Sequence, residues 1–529
     1  MESATEKNLS SFCMSDGDEP ELYSMLPPSG SRHRCFTLPS SPFGDGPEEL
    51  KMDDACIKTA TTKARRRRKK ASNSLLQIDQ ENVAASLKSG LYRPSKEETM
   101  AFSQLQDLHN RAVKFRDYYF EHFPTDRASR RVRDISDIVT GTLDKMAPLG
   151  GIFSPRNLSW YFAYRALCLS IDAVRTKEAH EELQFAVRHL AHFPRLWIAL
   201  GESFWEQGNI YTAISCFEKA SMLDRTSVLP IINISCSLRL LLAGEKDITE
   251  KCRMLMKMVA MARYAVKQCP DLGDAWYNLG NALLVYFNVK TNRDLILEAL
   301  VSFERAEKCK VLQGKAEFHY NYGISHLLCG NYQEALDMWK LADALEPDWS
   351  SPKKKTEELV KYLSFVSDLV SGKDRTFRRR AKQLGESVPV KNLSAILNEG
   401  PASLKLVLVK ELKDHKNDGL VAHGKIYATT YQTPDPSRLI FLIDATGDSV
   451  PVVIYNMGTE FSVGGSVSIP DPVVRFVQFS HEKKIISFRY IRVDEPWKMY
   501  HNLIKVPMNL CAQTVVSTSA VPRRSGGTE

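Results

Sequence analysis

No apolar run in this 529-residue chain approaches the ~18–20 residues that cross a bilayer. Even "VLPIINISCSLRLLLAG" (228–244) is interrupted by Asn233 and Arg239. The polar start "MESATEKNLS" lacks the apolar stretch of a secretion signal. The chain is therefore expected to be neither secreted nor membrane-spanning. Its 11 cysteines include no C-x-x-C pair, which argues against a zinc framework and for a reducing compartment. Also missing are H-E-x-x-H, G-x-x-x-x-G-K-[ST], G-x-S-x-G and a helix-opening G-x-G-x-x-G. Its 12 histidines are dispersed. No enzyme, no metal and no cofactor are expected.

Charge is abundant but localised. The net +8 is dominated by "KARRRRKK" (63–70), worth +7, and "KDRTFRRRAK" (373–382), worth +5, which leaves −4 for the rest of the chain. The first block, centred on Arg65, Arg66, Arg67, Arg68, Lys69 and Lys70, reads as a nuclear-localisation signal or a nucleic-acid patch. It lies in residues 1–98, rich in Ser, Pro, Gly and charge and without usable period, which are expected to be disordered. Within them "SDGDEPELYSML" alternates acidic and apolar residues, as a disordered interaction segment would.

What the rest of the chain has is repetition. "GNYQEALDMWKLADALEPDW" (330–349) places Ala335, Trp339 and Ala342 on one helix face after a Gly-Asn turn. The spacing recurs in "PRLWIALGESFWEQGNIYTAISCFEKASMLDR" (194–225): Trp197, Leu200, Gly201 and Phe204 precede Ala213, Phe217 and Ala220, the W-x2-L-G…A-x3-F pattern of a tetratricopeptide repeat. "AWYNLGNALL" and "ALVSFERAEK" supply a third copy through Trp276, Leu279, Gly280, Ala299, Phe303 and Ala306. Its halves are 23 residues apart instead of 16, a seven-residue insertion placed around Asn288 to Arg293. Ala179, Leu183 and Ala186 mark a weaker copy, and 228–269 is helical but degenerate. Small residues let the two helices of a unit approach, and aromatic ones fill the space between units. Residues 99–371 are thus expected to form a helical solenoid, closed by a capping helix "TEELVKYLSFVSDLV", whose concave surface binds rather than reacts.

A basic linker, 372–400, follows. From about 401 the apolar period becomes two: "LKLVLVKEL", "LVAHGKIYATTY", "LIFLIDATGDSVPVVIYN", "GGSVSIPDP", "VRFVQFS" and "IISFRYIRV" read as strands, with a hairpin at Asp444-Ala445-Thr446-Gly447. An OB-type β-barrel over 401–508 with a disordered tail, 509–529, is expected, so the chain is an α + β multidomain protein. Tyr427, Tyr455 and Phe476 could stack on nucleic acid, but 13 basic against 11 acidic residues over 404–506 favour a structural or protein-docking barrel.

The order of parts resembles the tetratricopeptide repeat protein 5 family over about residues 101–508. "FRDYYFE" (115–121), "AWYNLGNALLVYF", "NYQEALDMWKLADALEPDW", "HGKIYA", "IDATG", "VVIYN" and "GGSVSIPDP" carry the likeness. The resemblance implies two roles, one cytoplasmic and one nuclear. In the first, the family recognises the Met-Arg-Glu start of nascent tubulin at the ribosome and triggers tubulin mRNA decay through an adaptor of the deadenylation machinery. In the second, it scaffolds an acetyltransferase coactivator in stress responses. Asn233, Asn281 and Asn321 would bond a peptide backbone. By the family pattern Arg239 would meet the peptide's glutamate and Glu317 its arginine, while a second expected acidic position falls on the neutral Ser351. Lys373, Arg375, Arg378, Arg379, Arg380 and Lys382 match a lysine-rich segment that lies on ribosomal RNA.

Overall fold

The computed structural model describes residues 94–287, 292–388 and 404–511, apart from 431–432, 434–436 and 482–483. The basic block 63–70 lies outside them. The helical domain opens at Lys96, three residues before the expected boundary, because Ser95 and Glu98 form a capping box. Ser95 Oγ accepts from the Glu98 amide at 3.0 Å, and Glu98 Oε2 accepts from the Ser95 amide at 3.0 Å.

Six helix pairs follow: α1 (Lys96–Asp117) with α2 (Arg131–Met146), α3 (Leu158–Leu169) with α4 (Thr176–His189), α5 (Pro194–Glu206) with α6 (Ile210–Leu223), α7 (Leu229–Gly244) with α8 (Ile248–Gln268), α9 (Gly273–Phe287) with α10 (Arg293–Glu307), and α11 (Ala316–Cys329) with α12 (Tyr332–Leu345). The repeat glycines explain the pairing. A Cβ on Gly201 would sit 2.5 Å from Phe217, one on Gly280 3.0 Å from Phe303, and one on Gly323 2.4 Å from the Trp339 ring. The segment 228–269 forms a complete pair all the same. Ser235 is buried against the partner helix, and its hydroxyl donates to the Met258 carbonyl at 3.1 Å.

The first pair does not end in open solvent. The single turn Tyr119–His122 carries Phe120 across to the last pair, where it packs with Ala316, Ala342, Leu345 and Trp349. Glu121 meets Lys310 at 3.0 Å.

The closing helix, α13 (Ser350–Val370), has its outer face covered by the C-terminal domain. Between them, the basic segment expected as a linker is in part a helix, α14 (Arg375–Gly385), capped by Asp374 and packed on the sheet through Phe377, Ala381 and Leu384. The sheet has ten strands: β1 (Lys405–Val407), β2 (His415–Lys416), β3 (Leu420–Thr430), β4 (Arg438–Ile443), β5 (Ser449–Ile454), β6 (Ser466–Pro470), β7 (Val473–His481), β8 (Lys484–Val493), β9 (Tyr500–His501) and β10 (Ile504–Lys505). Their order is β10-β9-β6-β3-β4-β5-β8-β7-β2, with β5 and β8 parallel and β1 parallel to β3. Order extends past the expected end at 508, since Cys511 bridges back to Met457.

The central strands are buried on both faces, which is why "LIFLI" reads as a continuous apolar run. Ile440, Leu442, Val452, Ile454 and Ile491 fill the barrel. Their alternates Leu439, Phe441, Ile443, Val453, Tyr455, Phe488 and Tyr490 join the same core as α9 to α13. At this junction Arg492 donates to the Leu328 carbonyl at 2.6 Å, Ser480 donates its amide to Gln333 Oε1 at 2.8 Å, and the Phe365 and Phe441 rings meet edge-on at 6.3 Å.

Candidate functional site

In the third repeat copy the residue after the tryptophan packs across to the next unit, its ring 5.6 Å from that of Phe318. That residue is Tyr277, next to Trp276. Four of the five expected peptide-binding residues gather on it. Asn321 Nδ2 donates to the Tyr277 hydroxyl at 3.0 Å, Asn281 lies one turn along α9, and Arg239 and Glu317 both act electrostatically on it. Burial pushes the Tyr277 phenol up to about 12, Arg239 opposes and Glu317 adds to the rise, so the hydroxyl stays protonated and a donor at neutral pH. The fifth residue, Asn233, stands apart, donating to Glu202 Oε1 at 3.3 Å across to α5.

The asparagines are deeper than an open peptide-reading role would place them. Asn321 is 0% and Asn281 1% exposed. Asn321 and Asn233 already bond neighbouring helices, so they tie successive units together. Asn281 differs: it faces the Tyr277 hydroxyl, yet its amide oxygen and nitrogen are both buried outside good hydrogen-bonding geometry. An unsatisfied buried amide costs ~1–3 kcal/mol.

The sequence did not point to Arg131. It opens α2, stacks over the Phe120 ring at 5.2 Å, and lies within electrostatic reach of Glu317 and Glu346. Burial pushes its pKa down, while Glu317 and Glu346 push it back up. Glu317 and Glu346 thus both lie within electrostatic reach of Arg131. Ser351 is half-buried in the first turn of α13. Tyr277 could have been found from the repeat register; Arg131 could not, because its place depends on the first pair reaching the last.

The second expected site is built as a surface. Lys373, Arg375, Arg378, Arg379, Arg380 and Lys382 are all exposed, and the apolar side of α14 is turned to the barrel. Lys373 pairs with Asp368 at 2.5 Å, and Arg378 donates back to the Gly372 carbonyl. The barrel's own aromatics are mostly withdrawn: Tyr427 and Tyr455 are buried against the solenoid, and Phe476 alone of the three is exposed.

A repeat solenoid with a polar groove, closed by a β-barrel, defines an adaptor of the tetratricopeptide class. Residues 403–515 match the family described as the Tetratricopeptide repeat protein 5 OB fold domain. Across the longer chain, Tetratricopeptide repeat protein 5 of Mus musculus is 28% identical over 439 residues, covering 81% of this chain and 98% of that one. The Homo sapiens protein is 27% identical over 437 residues, covering 79% and 96%. A thermophilic TPR protein of Thermus thermophilus aligns at 14% identity and a TM-score of 0.32, over 38% of this chain and 98% of that one. The chain is thus similar to Tetratricopeptide repeat protein 5 along most of its length, as its repeat and barrel residues had suggested.

Proposed function

We propose that the chain is a non-enzymatic adaptor that captures an extended N-terminal peptide in its groove, with nascent tubulin as the ligand, and docks on ribosomal RNA through α14 to promote tubulin mRNA decay. The observation that carries this reading is the convergence of Arg239, Asn281, Glu317 and Asn321 on Tyr277. A peptide captured along α7, α9 and α11 would find a cation at Arg239 and a carboxylate at Glu317, with the amides of Asn281 and Asn321 reached only if the packing around Tyr277 opens. This order of charge suits a Met-Arg-Glu sequence read with its glutamate at Arg239. Arg131 shares that carboxylate, so an incoming arginine replaces part of an existing interaction, which favours a ligand able to make the backbone contacts too.

Fluorescence polarisation of the full chain with a Met-Arg-Glu-Ile-leading peptide tests it. Saturable binding should weaken more than tenfold, ~1.4 kcal/mol, in Arg239→Ala and in Glu317→Gln. Equal affinity for a scrambled peptide would sink the assignment. The nuclear coactivator scaffold, favoured by "KARRRRKK", would then be the better reading.

A further inference from the structure

Where barrel meets solenoid, three arginines face one carboxylate. Arg492 on β8 is buried, holds Asp494 through Nε at 2.9 and 3.0 Å and through Nη2 at 2.8 Å, and lies over the Tyr455 ring at 4.3 Å. Arg293, the first residue of α10, approaches the same carboxylate only to 3.9 Å. Arg475 on β7 is paired in register with Tyr490, and Val473 with Arg492. Cross-strand partners and residues two apart share a face, so Arg475, Tyr490 and Arg492 all point toward the solenoid. There a Cβ on Gly330 would be 2.6 Å from the Tyr490 hydroxyl.

Arg293, Arg475, Arg492 and Asp494 lie within electrostatic reach of one another and of Cys329. The Nε atoms of Arg293 and Arg475 are buried without a hydrogen bond. Asp494 is already satisfied by Arg492, so the cluster carries an excess of two positive charges. The side chains of Arg293 and Asp494 remain 28% and 23% exposed, so the cluster reaches solvent. The N-terminus of a 15-residue helix adds partial positive charge at the same place.

We propose that this seam binds a phosphate-bearing small anion, gripped by Arg293 from the solenoid and Arg475 from the barrel, with Arg492 as their buried support. Guanidinium forks arriving from two domains at one point suit a compact tetrahedral oxyanion better than an extended chain. Because the ligand touches both domains and the unfolded chain offers no such site, its binding stabilises their union.

The test is differential scanning calorimetry of the full chain at constant ionic strength, titrated with inorganic phosphate, pyrophosphate or inositol hexakisphosphate. Vesicles containing phosphatidylinositol bisphosphate form a separate arm. A saturable rise in the melting temperature is expected, with the apparent Kd weakened at least tenfold in Arg475→Gln and in Arg293→Gln. It should be unchanged when Arg378, Arg379 and Arg380 of α14 become Gln. Response to the vesicles alone would move the ligand from a free anion to a lipid headgroup. A rise lost in the α14 variant but kept in Arg475→Gln would overturn the assignment. So would a non-saturating rise shared equally by sulfate, which marks an adventitious ion only. Circular dichroism of each variant separates loss of binding from loss of fold.

Discussion

Gly323 and His109 show at single positions how this fold depends on close approach and on dryness. The Trp339 ring occupies the space a Cβ would take on Gly323, at 2.4 Å. Gly323→Ala should therefore cost about 1–3 kcal/mol of stability. Gly244→Ala, at a glycine with nothing within 4 Å, should stay within about 0.5 kcal/mol. Thermal denaturation of the two variants side by side checks the contrast. His109 is buried beneath Tyr164, its ring edge-on at 5.9 Å. Burial first, then the Arg195 charge, pushes its pKa down from 6.5 to about 4. The folded state thus holds His109 neutral while the unfolded chain takes up a proton below pH 6.5. Its contribution is fully present above that pH and drains away as pH falls toward 4. The melting temperature of His109→Leu should fall less steeply than that of the parent across this window.

At the scale of single elements, α14 is amphipathic in charge as well as in packing. Neutralising Arg375, Arg378, Arg379 and Arg380 should leave the melting temperature unchanged, because all four are exposed. Ribosome co-sedimentation should weaken and its salt dependence flatten, since phosphate contacts release counterions. Leu384→Asp should instead detach the helix from the barrel and lower stability. Helices carrying the full repeat pattern were legible in the sequence because glycine and aromatic positions impose the same spacing within each helix of a copy, even where an insertion separates its halves. The pair α7/α8 was obscured because Ser235 performs by a hydrogen bond the close approach that glycine performs elsewhere. The strands were legible too, yet their double burial was not. An apolar run such as "LIFLI" says that both faces are covered, without saying that the second cover is the solenoid. Likewise Arg239 and Glu317 were nameable from the resemblance, whereas their companion Arg131 sits more than a hundred residues earlier in the chain.

At the scale of the whole molecule, solenoid and barrel share a core, and cooperative unfolding follows from that. Calorimetry of the full chain should give one transition. Phe441→Asp, which places a charge between Phe365 and the Tyr427 ring, should split it into two. The shared core also accounts for the withdrawn aromatics of the barrel: Tyr427 and Tyr455 are structural before they can be anything else.

Phe120, seated among Ala316, Ala342, Leu345 and Trp349, changes the mechanics of the groove. A stack of helix pairs held only by nearest neighbours behaves as a spring, and its opening widens or narrows to suit each guest. Fastened from its first coil to its last, the same stack behaves as an arch with a keystone. Its span is set before any guest arrives, and it selects by fit where a spring would adapt.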